Sequence, residues 1–170
     1  MEYGSSVGIT AVRPPGPQAQ SIGGQVAVVL ALLIVRSADR VLLGERSGTG
    51  SADGWWDLPS VPARAGESAL AAVLRAARDE LGVVVDPVDV RFVHVAHVRG
   101  EPLGVGLFFE LLRWQGQIRR TASDSRRAWE FVRHDVPYRL VPHVRLALAG
   151  IGEGFAYSEL GWAAGPGDLR

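Results

Sequence analysis

The sequence predicts an α/β domain of the α+β kind, with a mixed β-sheet sandwiched between two helices. Three observations carry that prediction. Segments with strand and helix character follow one another in the order strand, strand, loop, helix, strands, helix. Leu70, Val73, Leu74, Ala77 and Leu81 recur at helical spacing and stop at Gly82. The length, 170 residues, is that of one domain, and no internal repeat is visible.

Taken in order, residues 1–24 carry Pro14, Pro15 and Pro17 among scattered Gly, Ser and Gln, show no periodicity, and are expected to form a flexible arm. The folded domain is expected over residues 25–162, with a flexible tail over residues 163–170. Val26 to Val35 is β-branched and aliphatic, which reads as a buried strand. Ser37 to Arg40 then supplies a turn into Val41, Leu42 and Leu43, completing a hairpin. Residues 47–66 read as one long loop, punctuated by Gly48, Gly50, Gly54, Pro59, Pro62 and Gly66. Trp55 and Trp56 argue that this loop is ordered. The helix ending at Gly82 follows. Strands are then expected over Val83 to Val85, Val88 to Val98, Leu103 to Trp114 and Ala128 to Arg133. Pro142 suits the first position of a second helix, with Val144, Leu148 and Ile151 inward and an end near Gly150 or Gly152. Gly-rich sequence resumes around Tyr157 and Trp162.

Composition excludes whole classes of chemistry. Eighteen basic residues balance eighteen acidic ones, so overall charge gives no attraction to nucleic acid or to an anionic membrane. With no cysteine there is no disulfide, thiolate metal site or Cys nucleophile. Every basic residue is arginine, which rules out a Walker-type phosphate loop and Schiff-base catalysis. The longest apolar run is about half of the roughly 20 residues that a membrane-spanning helix needs. Met1 to Gln25 lacks the features of a secretory signal, and a cytoplasmic protein is expected.

The chemistry concentrates between Gly54 and Val83. Within the predicted helix, positions 76, 79 and 80 share one face, away from the centre of the apolar stripe, so Asp79 and Glu80 would converge there. Hard carboxylate oxygens in such a cluster bind Mg²⁺ or Mn²⁺, which in turn hold substrate phosphates. Arg75 stands four residues before Asp79 and can pair with that carboxylate or with Glu67 at the start of the helix. The plain alternative is a solvated helix whose acids merely pair with arginines.

This pattern resembles the box of the Nudix hydrolase family, G-x5-E-x7-R-E-U-x-E-E-x-G-U with U aliphatic, laid from Val61 to Val83. Glu67, Arg75, Glu80, Gly82 and Val83 match, Asp79 stands for a Glu, and Ala77 takes the aliphatic place. The flanks also resemble small, MutT-like members: Gly48-Thr49-Gly50, Ala52-Asp53-Gly54, Trp56-Asp57-Leu58-Pro59-Ser60, Val141-Pro142-His143-Val144-Arg145, and the ending from Tyr157 to Trp162. The resemblance implies the Nudix fold and a Mg²⁺- or Mn²⁺-dependent pyrophosphatase acting on a nucleotide-type small molecule. It implies Glu80, Asp79 and Arg75 as catalytic residues and Glu67, Asp79 and Glu80 as metal ligands. It also implies substrate contacts from His97, Trp56 and Arg46, and a homodimer. No nucleic-acid or membrane partner is expected.

The departures from the pattern are Val61 for the opening Gly, Pro62 for a His and Arg64 for an acid of the subgroup, Ala76 for the Glu after the Arg, and Ala128 for a strand Glu. They leave a rival expectation: a Nudix-fold protein that has lost hydrolysis and binds a ligand or runs a different reaction. Glu110, Asp124 and Glu130 are candidates to replace a lost ligand. His94 and His97, three apart on one strand, should face opposite sides and share no metal. Arg119, Arg120, Arg126 and Arg127 read as a solvated loop able to contact phosphate.

Overall fold

The computed structural model describes residues 27–48, 52–100, 103–121, 126–133 and 139–162. The expected flexible arm (1–24) and tail (163–170), and Gly50 of the long loop, lie outside them.

The aliphatic run forms β1 (Ala27–Ser37), whose Leu32, Leu33, Ile34 and Val35 are fully buried on both faces. A turn with Ala38 at φ 53° leads into β2 (Arg40–Arg46), as the Ser-Ala-Asp-Arg signal predicts. The long loop holds two short strands that the sequence reading missed, β3 (Trp56–Asp57) and β4 (Ser60–Pro62). Neither has a periodicity of its own. They exist because Gly44 and Glu45 pair with β3, and because Leu30, Ala31 and Leu32 pair with β4.

Helix α1 (Ala69–Leu81) begins at Ser68, whose hydroxyl accepts from the Ala71 amide, and ends at Gly82 in the left-handed conformation, φ 69°. Any other residue type at Gly82 would cost roughly 1–2 kcal/mol in backbone strain. The helix is rotated from its expected facing. Ala72, Val73, Ala76, Ala77, Glu80 and Leu81 are buried, while Leu70 is 38% exposed. Alanines let the helix lie close on the sheet, so the small residues mark the centre of the contact face, with Leu74 partly buried at its margin and Leu70 outside it.

The expected strand at Val83 to Val85 is absent. Only Val84 makes an isolated bridge, to Gln115, before a 3₁₀ turn at Pro87–Asp89. Then come β5 (Val90–Val98), β6 (Leu103–Leu111) and β7 (Arg126–Arg133). Helix α2 (Pro142–Gly152) starts with Pro142 in its first turn, and buries Val144, Ala147 and Leu148. The Tyr157–Leu160 segment is a further strand, β8, parallel to β5. Its pairing with a strand about sixty residues earlier leaves no local signature.

Among the described residues the sheet has eight strands, in the order β3-β2-β1-β6-β5-β8 with β4 on β1 and β7 on β2. β1 and β6 run parallel at its centre. Alternation along β1 and β6 sends Leu33, Val35, Phe109 and Leu111 to the α1 side, and Leu32, Ile34 and Phe108 to the α2 side. The two helices therefore cover opposite faces, as expected. No helix among the described residues is long and apolar enough to cross a membrane.

Candidate functional site

The entrance to α1 is a tied loop. Gly66 takes φ 77°, and the Glu67 amide donates to the Arg64 carbonyl (3.0 Å) while the Arg64 amide donates back to Glu67 Oε2 (2.8 Å). Two turns into the helix, Arg75 reaches back over this loop. Its Nε donates to Glu67 Oε1 (2.8 Å), and its Nη2 donates to Glu67 Oε2 (2.8 Å) and to the Pro62 carbonyl (2.9 Å). The two-pronged geometry suits a guanidinium and no other side chain. Of the two partners open to Arg75, Glu67 takes it.

The Arg75 guanidinium, helped by the Arg64 amide, holds the Glu67 carboxyl down from an ordinary 4.5 to about 2. Arg75 in turn is held protonated above its usual range, chiefly by Glu67. A carboxyl with a depressed folded-state pKa stabilises the fold above its unfolded value and loses that contribution as pH falls through the folded one. The melting-temperature gap between wild type and Glu67→Gln should therefore be constant above about pH 5 and close between pH 4.5 and 2. A gap that closes at higher pH, or never, would show that the clamp is not formed.

Asp79 and Glu80 do not converge. Glu80 is 7% exposed and turns toward β4, where its Oε2 accepts from the Ser60 amide (3.0 Å). Asp79 turns outward to Arg78 Nε (3.3 Å), a solvent-facing pair with its side chain 39% exposed. Position 76, expected on an acidic face, is instead fully buried in the core beneath α1. Among the described residues, no group of three or more His, Asp or Glu side chains is placed to hold one metal ion. Mg²⁺ needs less than that, since one or two carboxylates complete its shell together with waters and substrate phosphates. Glu80, with the Glu67 loop tied to β4 through Pro62, fits that smaller requirement.

The residues expected at the substrate separate into two places. Arg46 donates from Nη1 to Asp57 Oδ2 (2.9 Å), and its buried Nε has no partner among the described residues. Asp57 is 2% exposed, and its charge and that of Arg46 both act on His143 in the first turn of α2. Trp56 packs into the α2-side core, and its backbone bonds to Arg139 and Val141 fasten β3 to the start of that helix. His97 lies elsewhere, in tilted ring contact with Trp162 (ring centroids 4.5 Å apart), with Tyr157 Oη 3.4 Å from its Nδ1. No hydrogen bond or ring contact among the described residues joins His97 to Glu67, Arg75 or Glu80.

His94 points the other way, as alternation predicts. It is fully buried between the Phe155 carbonyl (2.9 Å) and Ser158 Oγ (2.8 Å). Glu110 lies on the α2 side of the sheet, bonded to Arg36 (2.9 Å) and Arg91, so it cannot replace a ligand on α1. Glu130 is exposed on β7, opposite Leu43. Asp124 and the side chains of Arg126 and Arg127 fall outside the described residues, whereas Arg119 packs beside Gly82.

Sequence reasoning missed Asp57 and His143 as site residues. The signal was present in Trp-Asp-Leu-Pro and in the His that follows Pro142, but only the fold brings them near each other.

Comparison with known proteins places the chain. The NUDIX domain family matches residues 24–147. The solved MutT NUDIX hydrolase from Burkholderia pseudomallei superposes with a TM-score of 0.65 at 21% identity, over 73% of this chain and 97% of that one. The E. coli ORF135 protein gives 0.64 at 17% identity, over 75% and 89%. The MutT protein from Methanosarcina mazei gives 0.63 at 15% identity, over 75% and 94%. At these identities the likeness is one of fold. Among curated proteins no relative matches.

Proposed function

The chain belongs to the Nudix family, and from that premise we propose that it is a Mg²⁺- or Mn²⁺-dependent pyrophosphohydrolase of a small nucleoside diphosphate derivative. Candidate substrates are a nucleoside triphosphate, an NAD or ADP-ribose type compound, or a specialised diphosphate intermediate. The observation that supports this reading most is the tie from Arg75 to Glu67 and Pro62, which fixes the loop before α1 against β4, beside the buried Glu80.

In the reaction, water forms a bond to one phosphorus, the bridging P–O bond breaks, and two phosphate-ended products and a proton leave. A divalent ion held there would supply charge neutralisation for the phosphates and would make a water easier to deprotonate. Glu80 is the carboxylate to hold it, with Glu67 in support, whereas Asp79, turned outward to Arg78, would reach it only by changing its rotamer. Arg75 acts through Glu67, as a positioning residue. The protein is read as a cytoplasmic Nudix domain over residues 25–162 that works as a homodimer.

The rival reading, a Nudix-fold protein that binds a ligand or catalyses a different reaction, is favoured by one observation. Ala76 is sealed in the core where a second inward carboxylate would stand, four residues before Glu80. Phosphate release from a panel of nucleotides and sugar nucleotides, with and without Mg²⁺ or Mn²⁺, separates the two. Metal-dependent cleavage abolished by chelator is expected. Binding of one compound with no cleavage of any would favour the rival.

A further inference from the structure

Next to the Glu67 loop, on the α2 side of the sheet, lies a cavity of about 200 Å³ lined by Val28, Leu30, Val98, Gly104, Gly106 and His143. It adjoins the machinery described above in two ways. Leu30 pairs directly with Pro62, whose carbonyl Arg75 holds. Val28 also borders the depression that contains Arg64 and Glu67. A diphosphate held at the loop would therefore extend its organic group into this cavity.

The lining defines what that group can be. Val28 and Leu30 pair in register with Gly104 and Gly106, which pair on their other side with Val98 and Ala96, so the strand amides here belong to the ladder. His143 is the one polar side chain among the lining residues. Burial holds its pKa below the ordinary 6.5, with Asp57 pulling upward and Arg46 downward, so the imidazole is neutral at pH 7. Ligand pockets for whole drug-sized molecules span about 300–1,000 Å³, so this one accepts a compact group. The edge of a nucleobase carries several donors and acceptors, and most would be buried here without a partner.

We propose that this cavity selects diphosphates whose organic group is compact, uncharged and apolar, such as one aryl ring or a short branched alkyl chain, over nucleotides. Gly104 and His143 are the specificity-determining residues. The proposal rests on the pyrophosphohydrolase reading and narrows its substrate to the specialised-intermediate class.

Gly104 offers a clean test. A Cβ there meets only Val98, at 3.8 and 4.0 Å, in ordinary contact, so Gly104→Val should fold and fill the cavity. Gly106 is unsuitable, because its Cβ would press on Phe108 and Leu32 at 3.1 and 3.2 Å. The probes are phenyl diphosphate, ADP and toluene, followed by phosphate release with Mg²⁺ and by the amide signal of Gly104 and the ring signals of His143 in ¹H–¹⁵N spectra.

Phenyl diphosphate should shift both signals and have a KM at least about tenfold below that of ADP, and Gly104→Val should erase that advantage. Equal or better use of ADP by the wild type, or an unchanged preference in Gly104→Val, overturns the proposal. If neither diphosphate is cleaved and the panel of nucleotides and sugar nucleotides is inert as well, the hydrolase reading fails. Toluene then decides for the cavity: shifts of both signals in the wild type, with none at His143 in Gly104→Val, support an apolar pocket, and unmoved signals in the wild type refute it.

Discussion

Glu80→Gln should leave the fold intact and remove metal-dependent pyrophosphate cleavage. Glutamine keeps an oxygen able to accept from the Ser60 amide, the contact that orients this side chain against β4. What it loses is the negative charge, in a position only 7% exposed, where an ionic contact is weakly screened. The expected fall in kcat is about 10²–10³-fold, the size seen when one electrostatic group aimed at developing charge is removed. The melting temperature should stay within a few degrees of wild type. Retained activity with Mg²⁺ would remove Glu80 from the site altogether. A collapse in stability without metal would make its role structural.

Ala76→Glu should be strongly destabilised in the absence of divalent ions. In the family pattern a Glu stands at this place, and from sequence alone the substitution looks like a repair. The structure changes that expectation. Position 76 is fully buried, and lies one helical turn before the buried Glu80 on the same side of α1. A carboxylate added there is taken out of water next to a like charge, which costs on the order of 3–5 kcal/mol when unpaired. For a domain of this length that lowers Tm by about 10 °C. Mn²⁺ should return part of the loss, because a cation between positions 76 and 80 binds the folded state alone. Thermal melts of both proteins in EDTA and in Mn²⁺ measure it. Equal stability in EDTA would mean that this face of α1 is open to solvent.

Much of the fold was legible because its signals are local. Gly82 marks the left-handed end of α1, Pro142 marks the first turn of α2, and the Val26–Val35 run is apolar on both faces because β1 is central. The short strands were not legible, because pairing creates them: Asp57 is extended opposite Gly44, Val61 opposite Ala31, and Tyr157 beside Val95. Counting leucines as the buried stripe misplaced the face of α1, since three alanines, Ala72, Ala76 and Ala77, do the packing together with Val73 and Leu81. The site divides in the same way. The partnership of Glu67 with Arg75 follows from a spacing of two helical turns and was readable. The divergence of Asp79 from Glu80 depends on where β4 passes, and the approach of Arg46 and Asp57 to His143 depends on how β2, β3 and α2 meet. No spacing in the chain encodes those meetings.

The central claim is that Glu80, on a helix whose entry loop is clamped by Arg75, gathers a divalent cation onto a diphosphate. Calorimetric titration of Mn²⁺ into the protein with methylene diphosphonate, a diphosphate analogue that water cannot cleave, tests it directly. Saturable uptake by the wild type that requires the diphosphonate and vanishes in Glu80→Gln is the predicted result. No uptake by the wild type, or the same uptake by Glu80→Gln, would contradict it.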